Sequence, residues 1–168
     1  MKLCIVFFSK TGNTRAVAQI LKKQLKEKKF DVDEIEIEPI KMPGYMMGGY
    51  AGGRQKELPI KNTDIDLCKY DFFIFGAPIW NGKPAPFLKT FINKAENISG
   101  KNGSFFITHA ASVGKNSQAP IVFKEHMENK GINVTDSYLS IQTIKGNIED
   151  GRQNIDDFIK AVQSNLNR

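Results

Sequence analysis

Apolar residues along the chain fall into two rhythms that take turns. Leu3 to Phe8 is an unbroken apolar run with β-branched and aromatic members, short enough to be a strand buried on both faces. From Arg15 onward the period changes, and Val17, Ile20, Leu21 and Leu25 fall at i, i+3, i+4 and i+8, one face of a helix. Asp31 to Glu38 sets Val32, Ile35 and Ile37 among acids, which suits a strand with one face or edge in water. Tyr70 to Gly76 and Gly103 to Thr108 are continuous again, and Ile132 to Ile141 returns to a looser, edge-like pattern. Helical stripes separate them: Phe87, Leu88, Phe91, Ile92 and Ala95, then a weaker one through Ala119, Phe123 and Met127. The last runs through Ile155, Phe158, Ile159, Val162 and Leu166.

Strands alternating with helices predict an α/β fold: a three-layer sandwich with a parallel sheet covered on both faces. Three continuous strands and two alternating ones fit a five-stranded sheet ordered 2-1-3-4-5, with the second and fifth at the edges. A switch point then opens beside the carboxyl ends of the first and third strands, where ligands bind in such folds. At 168 residues the whole chain, 1–168, is expected to form a single domain. Pro39 to Thr63 breaks the alternation. Five glycines and Pro43 argue against a long regular helix there, so an irregular glycine-rich crossover is expected at 39–63. Tyr45, Met46, Met47 and Tyr50 make that segment either a lid carrying aromatics or a crossover packed on the sheet.

Apolar runs are strand-sized, and Met1-Lys2 leads directly into the first strand, so neither a membrane span nor a signal peptide is expected. Two cysteines, Cys4 and Cys68, read as separate thiols rather than a metal site or a C-x-x-C pair, and a cytoplasmic setting follows. The formal charge is +6. Its densest cluster, Lys22, Lys23, Lys26, Lys28 and Lys29, decorates the polar face of the first helix, where solvation explains it better than nucleic acid.

Candidate chemistry gathers after three strands. The first ends in Ser9-Lys10-Thr11-Gly12-Asn13-Thr14, a hydroxyl- and amide-rich turn at a helix N-terminus, suited to a phosphate. Such residues also cap helices, but one would suffice for that. Neither G-x-x-x-x-G-K-[ST] nor G-x-G-x-x-G is present in the turn, which points to a mononucleotide. The third strand runs into Ala77-Pro78-Ile79-Trp80-Asn81-Gly82, where the single tryptophan can stack on a planar ring or simply fill the core. The fourth ends in Thr108-His109-Ala110, with Gly114 further on, small residues that let a ring edge approach the backbone. His126 is given no role, and no hydrolytic triad, carboxylate pair or metal-ligand spacing emerges.

S-K-T-G-N-T after the first strand and G-A-P-I-W-N-G-K-P-A-P-F-L-K-T-F after the third resemble flavodoxin and the flavodoxin-like FMN-binding proteins. The resemblance implies FMN, with its phosphate on Ser9, Thr11, Gly12, Asn13 and Thr14. It implies an isoalloxazine ring between the loop Pro78 to Gly82 and the loop Thr108 to Gly114. This chain departs from electron-carrier flavodoxins in being basic, in lacking a tyrosine after the fourth strand and in its glycine-rich insertion. Lys10, Lys83 and Lys115 lie in the three loops and Arg54 in the insertion, a setting expected to raise the flavin's potential. Three functions follow: an electron carrier serving redox partner proteins of acidic surface, an FMN-dependent reductase passing electrons from NAD(P)H to a quinone, or a flavin-binding module without turnover.

Overall fold

A computed structural model describes residues 1–110, 118–144, 147–148 and 151–166. The core of the sheet is parallel, in the order β2 (Asp31–Glu36), β1 (Lys2–Phe7), β3 (Phe72–Trp80), β5 (Asn102–His109) and β7 (Leu139–Ile144). Counting the five long strands in chain order, this is the expected 2-1-3-4-5 arrangement. Three short strands are added to it. β4 (Lys83–Pro84) folds back antiparallel on β3, β6 (Asn133–Val134) pairs parallel with the start of β5, and β8 (Asn147–Ile148) pairs antiparallel with β7.

The period-2 geometry of the strands explains their unbroken apolar runs, because both faces are covered. Leu3, Ile5, Phe7, Phe72, Ile74 and Phe106 face α1 (Asn13–Glu27) and α5 (Gly151–Leu166). Cys4, Val6, Phe73, Phe75, Phe105 and Ile107 face α3 (Pro86–Lys94) and α4 (Ala119–Asn129). Full burial of each large side chain in these layers contributes about 1.5–3 kcal/mol before entropy is counted. Gly76 is required by the register: it pairs with Phe106, whose ring occupies the place a Cβ would take.

Three local expectations are corrected. The looser fifth strand is two strands, because β6 pairs with Asn102 and Gly103 and the chain then leaves the ladder before β7 pairs with Phe106 to His109. Thr135 N–H to Gly103 O and Ser104 Oγ–H to Ser137 O hold the detour between them. The third strand does not stop at Gly76 but continues to Trp80, turning at Asn81-Gly82 into β4. Asn81 and Gly82 have φ of 48° and 76°, the double positive value of a two-residue hairpin turn.

The third correction concerns 39–63, which contains a regular helix, α2 (Tyr45–Arg54). Its glycines do not break it; they let it sit close. A Cβ at Gly52 would lie 2.9 Å from both the Cβ and the carbonyl oxygen of Trp80, and one at Gly48 would touch the indole at 3.5 Å. Only a helix with a bare inner face fits this distance, so tertiary packing overrides the glycines' poor propensity.

Candidate functional site

β1, β3 and β5 are parallel neighbours, so their carboxyl ends lie together at one end of the sheet. Phe8 N–H donates to Gly76 O at 3.0 Å, fixing the departure of the first loop from β3. Gly12, with φ of 89°, turns the chain into α1. Among the described residues the helix has no side-chain cap, and its first turn holds no acid, so its N-terminal N–H groups and partial positive charge are available to an anion. Arg15 is not an additional anion ligand, because its guanidinium grips Glu36 through Nε and Nη2 at 2.7 and 2.6 Å.

Ser9 Oγ is buried and has no hydrogen-bond partner among the described residues. Leaving a buried hydroxyl unpaired costs on the order of 1–3 kcal/mol, which an anionic acceptor at the helix terminus would remove. Thr11 is exposed on the loop, and Gly12 has open space beside it. Thr14 and Asn13 look the other way. The Thr14 hydroxyl lies 2.8 Å from that of Thr108 and is buried, while Asn13 Nδ2 donates to Thr143 Oγ1 at 3.2 Å. These two side chains pin the N-terminus of α1 to the carboxyl ends of β5 and β7, leaving their backbone N–H groups as the anion-facing part.

On the second wall, Ala77 is buried within β3, and Pro78, Ile79 and Trp80 are half-buried. Trp80 is half-buried and packs against the core. Its ring meets Phe8 and Phe87 edge-on, at centroid distances of 5.6 and 6.0 Å, and Lys10 Nζ lies 5.5 Å from its centroid. Beside it is a cavity of about 340 Å³ bounded by Lys10, Tyr45, Gly48, Gly49, Trp80 and Asn81. On the third wall, His109 is half-buried with Nε2 3.2 Å from Ser140 Oγ, and Ala110 is exposed. Gly114 and Lys115 lie outside the described residues.

Sequence reasoning missed the group that holds α2 over this cavity. Gln55, in the left-handed conformation at φ of 49°, donates from Nε2 to Gly52 O and Pro84 O at 2.6 and 2.9 Å. Its Oε1 therefore accepts from His126 Nε2–H, 2.8 Å away. Lys83 Nζ and Lys89 Nζ donate to the carbonyls of Gly53 and Gln55, each at 3.0 Å, so Lys83 caps a helix rather than facing the cavity. Burial, with Lys89 and Lys83 assisting against Glu57, pushes His126 down to about 4 and keeps it neutral. The cysteines take no part: burial pushes the Cys4 thiol up to about 12, and Cys68 is raised by its hydrogen bond with Asp66.

The sequence model of the family described as NADPH-dependent FMN reductase matches residues 1–143. Among solved structures, a flavodoxin from the domain Archaea is 21% identical, with 100% of each chain covered and a TM-score of 0.64. A flavoprotein in complex with FMN from Lactobacillus acidophilus NCFM is 21% identical, with 94% of this chain and 97% of that one covered and a TM-score of 0.70. Oxidised flavodoxin 2 from Bacillus cereus is 22% identical, with coverages of 98% and 99% and a TM-score of 0.67. At these identities the likeness is one of fold. No curated protein matches the chain.

Proposed function

We propose that this chain, which belongs to the NADPH-dependent FMN reductase family, binds FMN across the carboxyl ends of β1, β3 and β5 and transfers electrons through it. It is a flavodoxin-like redox protein with FMN as its cofactor. One observation carries the placement: the Ser9 hydroxyl, without a partner among the described residues, beside the uncapped N-terminus of α1. The hydroxyls of Ser9 and Thr11 and the N–H groups of Gly12, Asn13 and Thr14 would hold the phosphate, with Lys10 supplying the countercharge. The edge from Ala77 to Gly82 would carry the isoalloxazine on one side, with Thr108, His109 and Ala110 on the other. Within that edge Ala77 contributes backbone, since its side chain is buried. FMN supplies the redox chemistry, and the protein supplies orientation and charge.

The donor is the finer question. Family membership supports NAD(P)H, and the cavity beside Lys10 and Trp80 offers a cation and an aromatic wall to a second planar molecule, a nicotinamide or a quinone. Two free thiols support a cytoplasmic setting, and among the described residues no helix is long and apolar enough to cross a membrane. An anaerobic titration of the FMN-loaded protein tests the reading. Bleaching by NADPH assigns a reductase, and bleaching by dithionite alone assigns a carrier. Binding riboflavin as tightly as FMN would overturn the phosphate site.

A further inference from the structure

The outer face of α2 is apolar where a surface helix is normally polar. Gly48 and Gly52 turn the inner face onto Trp80, and this leaves Met46 86% and Met47 63% exposed, with Tyr50 beside them and Tyr45, 92% exposed, at the lip of the cavity. Methionines on such a face adapt to a partner's contour without a fixed rotamer. Cations border the patch at Tyr50 and at the cavity. Arg54 Cζ and Lys56 Nζ sit 5.7 and 5.1 Å from the Tyr50 ring, Lys10 borders the cavity, and Lys41 precedes the helix. From Pro39 to Lys56 the chain has no acid. Among the described residues none of these four cations has a carboxylate within ion-pair distance, whereas Arg15 and Lys22 on α1 are paired with Glu36 and Glu34.

We propose that this face docks an acidic electron-transfer protein, one that presents an apolar patch ringed by carboxylates. The inference rests on the reading above, in which the adjoining loops hold the flavin. An apolar centre with a charged rim of one sign is the pattern of a specific, fast-exchanging interface, where the rim steers encounter and the centre holds it. The same single-sign rim argues against a second copy of this chain, because pairing would bring cations against cations.

The test uses the full-length, FMN-loaded protein and a reduced acidic [2Fe–2S] ferredoxin as the probe, with flavin reduction followed by stopped flow. The expected rate falls about tenfold between about 20 mM and 300 mM salt, within the range over which steering is screened. Arg54→Glu with Lys56→Glu lowers the low-salt rate by a similar factor, and Met46→Ser with Met47→Ser lowers it without removing the salt dependence. Lys23→Glu with Lys26→Glu, which changes the net charge equally on α1, leaves the rate unchanged. A rate indifferent to salt or to the α2 variants overturns the proposal. So does tight binding to anionic phosphatidylserine vesicles that the same variants abolish, or a concentration-dependent dimer lost in the methionine variants. If FMN is bound and dithionite reduces it while the probe does not, the docking surface fails alone; if FMN does not bind, the underlying reading fails with it.

Discussion

Ser9 and Thr14 carry the same functional group in the same turn, and the fold uses them in opposite ways. Ser9 Oγ is buried with no partner among the described residues, while the Thr14 hydroxyl is engaged by Thr108 at 2.8 Å. Ser9→Ala should therefore leave the apoprotein at least as stable and weaken FMN by about 1–1.5 kcal/mol, roughly tenfold, with little change for riboflavin. Thr14→Val should cost the apoprotein about 1 kcal/mol and weaken both ligands together through a loosened helix start. Paired calorimetric titrations with thermal melts separate the two outcomes, and equal losses of FMN and riboflavin in Ser9→Ala would count against the phosphate site. The crowding of Ser9, Thr11, Asn13 and Thr14 was legible as a polar turn before a helix. Which hydroxyls point inward was not, because Thr108 and Thr143 lie 94 and 130 positions away and reach the turn only once the sheet has formed.

At the scale of the element, α2 shows how a residue's usual meaning reverses with its surroundings. Each helical glycine costs about 1 kcal/mol relative to alanine, so this sequence opposes a helix on propensity alone. Contact with Trp80 decides the matter, and it predicts opposite signs for two neighbouring substitutions. Gly49 faces open space, and Gly49→Ala should stabilise by about 0.5–1 kcal/mol. Gly52→Ala puts a methyl 2.9 Å from the Trp80 backbone oxygen and should destabilise the docked helix by about 1–3 kcal/mol. Fluorescence of Trp80, the chain's single tryptophan, reports the change directly, and two substitutions of the same sign would refute the packing account. The far end of the helix adds a pH dependence. His126 is held neutral at about 4, below its ordinary 6.5, so the unfolded chain takes up a proton in this window that the folded chain refuses. Stability is then complete above about pH 6.5 and declines as pH falls toward 4. Urea denaturation across that window should show the decline, and His126→Gln should flatten it. Neither Gln55 nor His126 carried a sequence signal, since their hydrogen bond spans 71 positions. The Asn81-Gly82 hairpin did carry one, as asparagine and glycine are the residues that tolerate two successive positive φ angles.

For the molecule as a whole, topology was the most legible feature because it depends on burial, and burial is written in continuous apolar runs. The covered strands β1, β3 and β5 read as such, and the order around them follows from which strands alternate. Charge is a second whole-molecule property, and its consequence falls on the flavin. Reduction adds negative charge to the bound ring, so a net charge of +6, with Lys10 beside the cavity and Glu36 already tied to Arg15, favours the reduced form. Removing one cation at the cavity's edge, by Lys10→Gln, should lower the two-electron midpoint potential by some tens of millivolts, the scale of one partly screened charge. Lys23→Gln removes the same charge from the exposed flank of α1 and should leave the potential within a few millivolts of the parent, because solvent and salt screen it. Equilibration with reference dyes measures both variants. An unchanged or raised potential in Lys10→Gln would mean that the lysine beside Trp80 does not act on the flavin's charge.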